Sequence, residues 1–456
     1  MIAGAPTADR GAWVTRWGFV LAAAGSAVGL GNIWRFPYIV GENGGGAFVL
    51  VYLLCIVFIG LPILVAELGI GRSLQRTPVG AFQQLAGRRS AWVGLGWLGV
   101  TVAFLLLSFY SVVAGWMLRY AYFAASGALG RGGVEQVQQT FGMVYGDAAG
   151  SVVGALVFIG MNVAMVGAGI QRGVERWSRI LMPALFVLLV GLVGYAATLE
   201  GFGEAVGFLF RFDLGQLDRG GLLEALGHAF FTLSVGLGGM LTYGSYLPGK
   251  RGVVENAIAI VLLDTAVALL SCLLIFPLAF TFGLPPTESP GLIFVSLPMA
   301  FAQMPAGGLV GAVFFILLIC AALTSGLSML ELASSYFIDE RGWSRRQAVT
   351  RVGGVIAVLA LPCALTGSTV VFGSGFEAFA GKSYFDLLVD LVTNWLTPLG
   401  GLGFALFVGW RLGPGVRRGQ FDEGVPEAVY RGWLAVLRFL APPAIVLIFL
   451  RGIGLV

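Results

Sequence analysis

The chain has 456 residues, of which 58% are hydrophobic and only 11% are charged. Soluble domains average about 45–50% apolar and about 25% charged residues, so this composition excludes an ordinary soluble protein and predicts one that crosses a membrane many times. The net charge of +4 does not indicate a nucleic-acid partner, and four cysteines in apolar segments with a single histidine argue against a disulfide framework or a histidine-based metal site.

About eleven apolar segments reach the roughly 20 residues that a helix needs to span a bilayer. In chain order they lie near residues 14–38, 45–70, 91–123, 150–169, 177–199, 223–247, 256–283, 307–336, 347–366, 385–411 and 432–453. A shorter apolar piece from Gly291 to Ala302 is typical of a hairpin that re-enters the membrane or caps the outside. The sequence therefore predicts an all-α polytopic membrane protein that forms a single transmembrane domain over residues 1–456.

Basic residues predict the orientation of these spans. Alternate connections carry most of the positive charge: Arg72, Arg76, Arg88, Arg89, Arg172, Arg176, Arg179, Lys250, Arg251, Arg341, Arg345, Arg346, Arg411, Arg417 and Arg418. Connections rich in Lys and Arg stay in the cytoplasm. We therefore expect a cytoplasmic N-terminus and, with an odd number of spans, a C-terminus outside.

The tetrapeptide VGLG occurs twice, starting at Val28 in the first predicted span and at Val235 in the sixth. Because five spans separate the two positions, the two halves have opposite orientations. This predicts a 5+5 inverted repeat, with the first repeat over about 14–199, the second over about 223–411 and an extra helix at about 432–453. Discontinuous helices at matching positions of inverted halves indicate the binding site of a secondary transporter.

The chemistry of such a break explains why it makes a site. Unwound backbone at mid-membrane must be covered by protein, water or ligand, because lipid cannot satisfy its polar groups. Free carbonyls suit a hard cation such as sodium, and the N–H groups near Leu30 and Gly31 suit a carboxylate. A zwitterionic amino acid together with sodium fits both. The alternative is that Gly25 and Gly29 serve only close helix packing.

Five stretches carry a family resemblance. They are WVTRWG (13–18), AGSAVGLGNIWRFPYIVGENGGGAF (24–48), GLPILVAELGIGR (60–72), FFTLSVGLGGMLTYGSY (230–246) and AALTSGLSM (321–329). They resemble the neurotransmitter:sodium symporter family and in particular its bacterial amino-acid transporters. The resemblance implies a multi-pass protein of the bacterial inner membrane, not an enzyme, which imports an amino acid together with sodium by alternating access.

The resemblance also implies two sodium sites. The first uses the carbonyl of Ala27, the side chains of Asn32 and Thr232, a residue of the seventh span and the substrate carboxylate. The second uses the carbonyls of Gly25, Val28 and Ala321 with the hydroxyls of Thr324 and Ser325. For Thr324 and Ser325 the alternative is a hydrogen bond back to their own helix.

Three buried polar residues stand out in the apolar spans. Asp264 is an ionisable group deep in the seventh span, where such groups are functional by default, and we expect it either to ligate the first sodium or to replace chloride. Chloride is therefore not expected to be required. Glu67 resembles a family residue that braces the unwound part of the sixth span. His228 stands where most relatives carry glutamine, and it is interpreted either as a neutral residue satisfied by a neighbour or as a proton carrier.

Alternating access requires two gates. Arg35 resembles the outer-gate arginine, with Asp390 preferred over Asp386 as its acidic partner. The inner gate resembles a network of four residues: Arg10, Trp13, Tyr246 and Asp339. An ordinary surface role is the alternative for any of these charges.

The resemblance implies a largely apolar substrate pocket. Tyr110 matches the tyrosine that holds the substrate carboxylate, and Phe231 matches an aromatic lid. The remaining expected contacts are Ala27, Gly29, Gly31, Leu106, Thr232, Ser234, Leu237, Ser325 and Met329. A hydrophobic L-amino acid is the expected substrate, namely leucine, methionine, valine or an aromatic one. Two rival functions remain, a proton-coupled amino acid carrier and an amino-acid sensor with the same fold.

Overall fold

The computed structural model describes residues 11–129, 133–213, 215, 217–248, 252–284, 292–368, 373–421 and 425–455. Within these ranges the chain is helical and contains no β-strand. The α-helices are α1 (Arg16–Ala27), α2 (Phe36–Glu42), α3 (Gly46–Cys55), α4 (Leu61–Leu74), α5 (Pro78–Ala86), α6 (Val93–Ala125), α7 (Gly133–Gly146), α8 (Ala148–Gly167), α9 (Arg176–Ala196), α10 (Phe202–Phe210), α11 (Arg219–Thr232), α12 (Gly239–Gly244), α13 (Val253–Phe282), α14 (Leu297–Gln303), α15 (Gly307–Asp339), α16 (Arg345–Ala364), α17 (Gly373–Ala380), α18 (Tyr384–Asp390), α19 (Thr397–Leu406), α20 (Pro414–Arg418), α21 (Glu427–Ala435) and α22 (Ala441–Gly452).

Several of these helices are joined end to end by π-helical turns. The turns are Gly31–Arg35, Ile56–Gly60, Ile170–Glu175, Leu292–Ser296, Leu391–Leu396, Phe407–Arg411 and Val436–Leu440. A π-helical turn inserts one residue into an α-helix and often marks a functional position.

Nine helices of the described residues are long and apolar enough to cross a membrane, and one bent pair makes a tenth. They agree with ten of the eleven predicted spans. The remaining one, 223–247, is present as α11 and α12, and each half is too short to cross a bilayer alone. The all-α polytopic class is therefore confirmed. The described part of the shorter apolar piece, for which a hairpin is expected, is the helical segment Leu292–Gln303.

The first span is interrupted where the first VGLG lies. Helix α1 ends at Ala27, and Val28 adopts an extended conformation (φ −64°, ψ 108°). The chain then continues through the π-helical turn into α2, and the two halves are bent by 58°. The interruption leaves the last carbonyls of α1 without the N–H partners that a continuous helix would supply, and the Gly29 N–H donates to the Asn32 side chain instead of to a helical carbonyl.

The sixth span is interrupted at the second VGLG. Ser234, Gly236 and Gly238 all have positive φ (51°, 86° and 83°), a conformation that ends an α-helix. Gly236 also cannot carry a side chain, because a Cβ would lie 2.5 Å from the Cα of Gly401. The prediction that spans one and six are discontinuous is confirmed.

The two 33-residue helices α6 and α15 pack beside the breaks. Helix α6 also approaches α8 very closely, since a Cβ at Gly115 would lie 2.6 Å from the carbonyl carbon of Gly154. Small residues allow such approaches between membrane helices. This scaffold presents one face of α6 and one face of α15 to the interrupted segments.

Candidate functional site: a cavity between two broken helices

A cavity of about 240 Å³ is enclosed by the two interrupted spans together with the continuous helices α6 and α15. Its wall is formed by Ser26, Ala27, Gly29, Leu30, Gly31, Asn32, Trp34, Arg35, Leu106, Phe109, Tyr110, Val113, Phe231, Thr232, Ser234, Leu237, Ile293, Phe294, Ser325, Met329, Phe385, Asp386, Val389, Thr393 and Thr397. The only ionisable side chains other than Tyr110 in this wall are Arg35 and Asp386. The cavity is otherwise apolar with a few hydroxyl, amide and backbone groups, which is the usual composition of a small-molecule site.

All eleven residues predicted to contact substrate line this one cavity. They are Ala27, Gly29, Gly31, Leu106, Tyr110, Phe231, Thr232, Ser234, Leu237, Ser325 and Met329. They come from four separate parts of the chain, namely the two breaks, α6 and α15. The structure therefore brings the predicted set together.

The Tyr110 hydroxyl is available to a ligand. It is buried and makes no hydrogen bond to any described residue. A buried hydroxyl without a partner is costly, so such groups usually have one when the site is occupied. Nearby, a Cβ on Gly29 would lie 3.1 Å from Ser325 Oγ and 3.7 Å from the Tyr110 oxygen, so the absence of a side chain at Gly29 leaves this corner open.

A buried polar cluster joins the two breaks to α13. The Asn32 amide donates to Thr232 Oγ1 (2.9 Å) and to Asp264 Oδ1 (2.7 Å), and the Thr232 hydroxyl donates to Asp264 Oδ2 (3.0 Å). Asn32 Oδ1 in turn accepts from the Gly29 N–H (3.0 Å). The three side chains are 0–3% exposed. This arrangement gathers an amide, a hydroxyl and a carboxylate, oxygen ligands of the kind that sodium requires.

A second cluster lies between α1 and α15. Ser325 Oγ donates to the Val28 carbonyl (3.1 Å) and lies 3.4 Å from the Gly25 carbonyl. Thr324 Oγ1 donates to the Ala321 carbonyl (3.0 Å), which is the bond back to its own helix that the sequence left open as an alternative. All five predicted groups are thus adjacent, and each is an oxygen. Among the described residues there is no group of three or more His, Cys, Asp or Glu side chains that could hold a metal ion.

Glu67 lies against the unwound part of the sixth span. Its Oε1 accepts from the Gly236 N–H and its Oε2 from the Leu241 N–H (3.3 Å), and the side chain is fully buried. Each of these N–H groups belongs to the interrupted segment or to the first turn of α12. The carboxylate therefore replaces hydrogen bonds that the interruption removed.

His228 is buried between Phe36 and Tyr52, at ring-centroid distances of 5.2 Å and 5.6 Å. Neither ring nitrogen has a hydrogen-bond partner within the described part of the chain. The interpretation of His228 as a residue satisfied by a neighbouring side chain is therefore wrong for this structure, where the ring is held by aromatic packing.

At the outer end of the cavity, the Arg35 guanidinium lies 5.6 Å from the centre of the Phe231 ring. Asp386 lines the same cavity as Arg35. Asp390, the preferred partner from the sequence, accepts instead from Lys382 (3.1 Å) and Asn394 (2.5 Å). One helical turn thus separates the two carboxylates: Asp390 is engaged by other residues, whereas Asp386 accepts from Ser383 Oγ (2.7 Å) and shares the cavity wall with Arg35. An ion pair of Arg35 with either acid stays a prediction.

At the opposite end, Trp13 and Tyr246 belong to one network. The Trp13 indole N–H donates to the Tyr243 carbonyl (2.9 Å), and the Tyr246 hydroxyl donates to Glu331 Oε1 (2.6 Å). Glu331 also pairs with Arg345. Arg10, which the sequence places in the same gate as Asp339, lies outside the described residues.

Glu331 was not among the residues predicted from the sequence, and its partner Arg345 was predicted only as a basic residue of a cytoplasmic connection, although Glu331 was detectable. It is a fully buried acid within the apolar helix α15, so the reasoning applied to Asp264 also applied to it. The apolar wall residues Ile293, Phe294 and Phe385 were missed as well. No local pattern singles them out, because they belong to segments that reach the cavity only through folding.

Comparison with known proteins gives a consistent result. The family model described as the sodium:neurotransmitter symporter family matches residues 10–140 and 133–397. A sodium-dependent transporter of Bacillus subtilis, YhdH, is 39% identical over 97% of this chain and 98% of its own length. A sodium-dependent transporter of Haemophilus influenzae is 32% identical over 98% of both chains.

One solved structure is similar over nearly the whole length. The crystal structure of MhsT in complex with L-phenylalanine superposes with a TM-score of 0.86 at 41% sequence identity, covering 97% of this chain and 100% of MhsT. Together with the interrupted helices and the cavity between them, these matches show that the chain belongs to the sodium:neurotransmitter symporter family of membrane transporters.

Proposed function

We propose that this protein imports a hydrophobic L-amino acid together with sodium by alternating access. The observation that carries the proposal is the cavity wall itself. Both helix interruptions, the Asn32–Thr232–Asp264 cluster and Ser325 all contribute to or adjoin one apolar cavity of about 240 Å³. Such a wall can hold a cation and a zwitterion side by side.

The substrate is oriented by its two charged ends. The carboxylate is placed near the N–H groups of residues 29–31 and the unpartnered Tyr110 hydroxyl, where the start of the outer half-helix favours negative charge. The ammonium is placed near the carbonyls of the interrupted segments at Ala27 and Phe231. The side chain then lies against Leu106, Val113, Leu237 and Met329.

An apolar side chain suits this part of the wall because Leu106, Val113, Leu237 and Met329 are uncharged, and the two charged wall residues, Arg35 and Asp386, belong to the outer end of the cavity. MhsT was solved with L-phenylalanine, which supports an aromatic or large aliphatic substrate for this chain. A flexible methionine in the wall favours breadth, since Met adapts to differently shaped partners. Leucine, methionine, valine and the aromatic amino acids are therefore all candidates.

Two sodium ions are proposed to bind. The first uses Ala27, Asn32, Thr232 and Asp264 with the substrate carboxylate, and the second uses Gly25, Val28, Ala321, Thr324 and Ser325. The bonds from Asn32 and Thr232 to both carboxylate oxygens of Asp264 support a ligand role for this acid. Because Asp264 supplies a fixed negative charge beside the first site, transport is proposed not to require chloride. The human GABA transporter 2, which is named as sodium- and chloride-dependent, differs in this respect; it is 25% identical over 94% of this chain and 77% of its own length.

Alternating access is proposed to use Arg35 and Asp386 as the outer gate. The inner gate is proposed to be the network of Trp13, Tyr246, Glu331 and Arg345. From the sequence, Arg10 and Asp339 are expected at the same gate. The basic connections put the inner network in the cytoplasm of a bacterial cell. This assignment has the N-terminus inside and the C-terminus outside.

The test is uptake into liposomes that contain the purified protein. Labelled L-phenylalanine is supplied outside under an inward sodium gradient, with gluconate in place of chloride in a second arm and a proton gradient without sodium in a third. We expect sodium-driven uptake that persists in gluconate and is competed by leucine, methionine and valine. Uptake driven by protons alone, or binding without any uptake, would contradict the proposal in favour of a proton-coupled carrier or a sensor.

A further inference from the structure

A groove separate from the central cavity lies between the start of α1 and the start of α9. It encloses about 360 Å³ and is lined by Val14, Gln171, Glu175, Arg176, Arg179 and Ile180. We refer to these six residues as the basic groove. It lies at the membrane end where the basic connections are predicted to be cytoplasmic.

Three arginines form a stripe along this edge. Arg172, Arg176 and Arg179 are separated by four and three positions, which places their side chains on one face of a helical segment. All three residues are exposed, and none has an ion-pair partner or a hydrogen bond within the described residues. The stripe therefore carries three positive charges with which no described side chain pairs.

The one acid in the groove does not offset this charge at the surface. Glu175 is 2% exposed, and its carboxylate accepts from the Val14 N–H (2.9 Å), the Thr15 N–H (3.2 Å) and the Thr15 hydroxyl (3.0 Å). Its oxygens are thus engaged by the start of α1. The accessible part of the groove is basic.

Large apolar side chains border the same groove. Val14 and Ile180 line it and are 67% and 49% exposed, and Trp17, three residues after Val14 in the chain, is 63% exposed. In a helix bundle that crosses a membrane, exposed apolar residues face the acyl chains, and tryptophan is enriched at the level of the headgroups. Positive charge beside exposed apolar surface complements a molecule with an anionic head and a hydrocarbon tail.

We propose that the basic groove binds the headgroup phosphate of an anionic phospholipid of the inner leaflet, with its acyl chains over Val14, Trp17 and Ile180. Arg176 and Arg179 contact the phosphate, and Arg172 adds to the local positive potential. The bound lipid lies against residues 14 and 15, which hydrogen-bond to Glu175 at the start of α1. The other end of α1 leads to the Gly25 and Val28 carbonyls of the proposed second sodium site. Anionic lipid is therefore expected to restrain this end of α1.

The test compares the full-length protein with a charge-removal variant in mixed micelles. Arg176→Gln/Arg179→Gln removes the phosphate contacts, and Arg88→Gln/Arg89→Gln is the matched control, since Arg88 and Arg89 are two exposed basic residues without an ion pair among the described residues. Phosphatidylglycerol or phosphatidylcholine is titrated into each protein, and bound lipid is counted by native mass spectrometry. A monodisperse elution profile and an unchanged melting temperature establish that each variant is folded.

The expected result is selective loss in one variant. An arginine near an anionic lipid contributes about 1 kcal/mol, or about fivefold in affinity, so the groove variant should bind phosphatidylglycerol about thirtyfold more weakly at its tightest site. The control variant and all phosphatidylcholine titrations should be unchanged. Equal binding by the wild type and the groove variant, or an equal loss in the control, would overturn the proposal, as would displacement of the lipid by millimolar glycerol phosphate.

Discussion

Replacing Glu67 by glutamine is the perturbation that most directly tests the interrupted sixth span. In the structure the two carboxylate oxygens accept from two different backbone N–H groups, of Gly236 and Leu241. Glutamine has one carbonyl oxygen and therefore keeps only one of these bonds, now to a neutral acceptor. Its NH2 group faces the second N–H and leaves it without an acceptor.

The magnitude follows from these two changes. A hydrogen bond to a charged group contributes about 1.5–3 kcal/mol, a neutral one about 0.5–1.5 kcal/mol, and a buried group left without a partner costs about 1–3 kcal/mol. Because Glu67 is fully buried, water does not compensate. We expect the interrupted conformation to lose about 3 kcal/mol, which corresponds to more than a tenfold loss in any affinity that depends on it.

The assay is equilibrium binding of labelled L-phenylalanine at saturating sodium, with thermal unfolding measured on the same samples. Glu67→Gln should bind more than tenfold more weakly and unfold at a lower temperature. Glu200→Gln removes an exposed acid and should leave both quantities unchanged. Wild-type affinity and melting temperature in Glu67→Gln would refute the idea that this carboxylate holds the break open.

Three further predictions follow from the same contacts. Ser325→Ala removes the hydroxyl that lies between the Gly25 and Val28 carbonyls, so the sodium concentration for half-maximal uptake should rise about tenfold. Ser335→Ala is the control, because this hydroxyl bonds to its own helix, and it should behave as wild type. An unchanged sodium titration for Ser325→Ala would remove this residue from the second sodium site. Asp264→Asn removes the fixed charge beside Asn32 and Thr232. Uptake by this variant at low sodium should fall at least tenfold, and part of it should return on addition of chloride. Full activity of the variant in gluconate would show that Asp264 neither binds sodium nor replaces chloride. Glu331→Gln leaves Arg345 without its buried partner, which should cost about 3–5 kcal/mol of stability in thermal unfolding. The control, Glu427→Gln, breaks an exposed pair with Arg431 and should cost less than about 1 kcal/mol. Equally small effects of the two substitutions would show that the inner network does not depend on the Glu331–Arg345 pair.

The interruptions and their ligand groups were predictable because their causes are local. A run such as SAVGLGN combines glycines, a serine and an asparagine within a span, and no neighbouring helix is needed to make it a poor transmembrane helix. The same holds for Asp264, since an acid in an apolar run is conspicuous wherever the run packs. The eleven contact residues, by contrast, were implied by the family resemblance, and they line one cavity.

The sequence alone therefore determined the class of fold, the location of the two breaks and the side chains beside them. Composition and short-range pattern are sufficient for this, because they decide which segments enter lipid and which cannot remain helical. Tertiary structure alone decided the partners. Asp386 and Asp390 are the same residue type one turn apart, yet Lys382 and Asn394 engage Asp390 while Asp386 lines the cavity. Likewise Glu331 meets Tyr246 across 85 residues, and Phe294 closes the wall from a distant segment. A helical pattern specifies which residues share a face, but only packing specifies what that face meets.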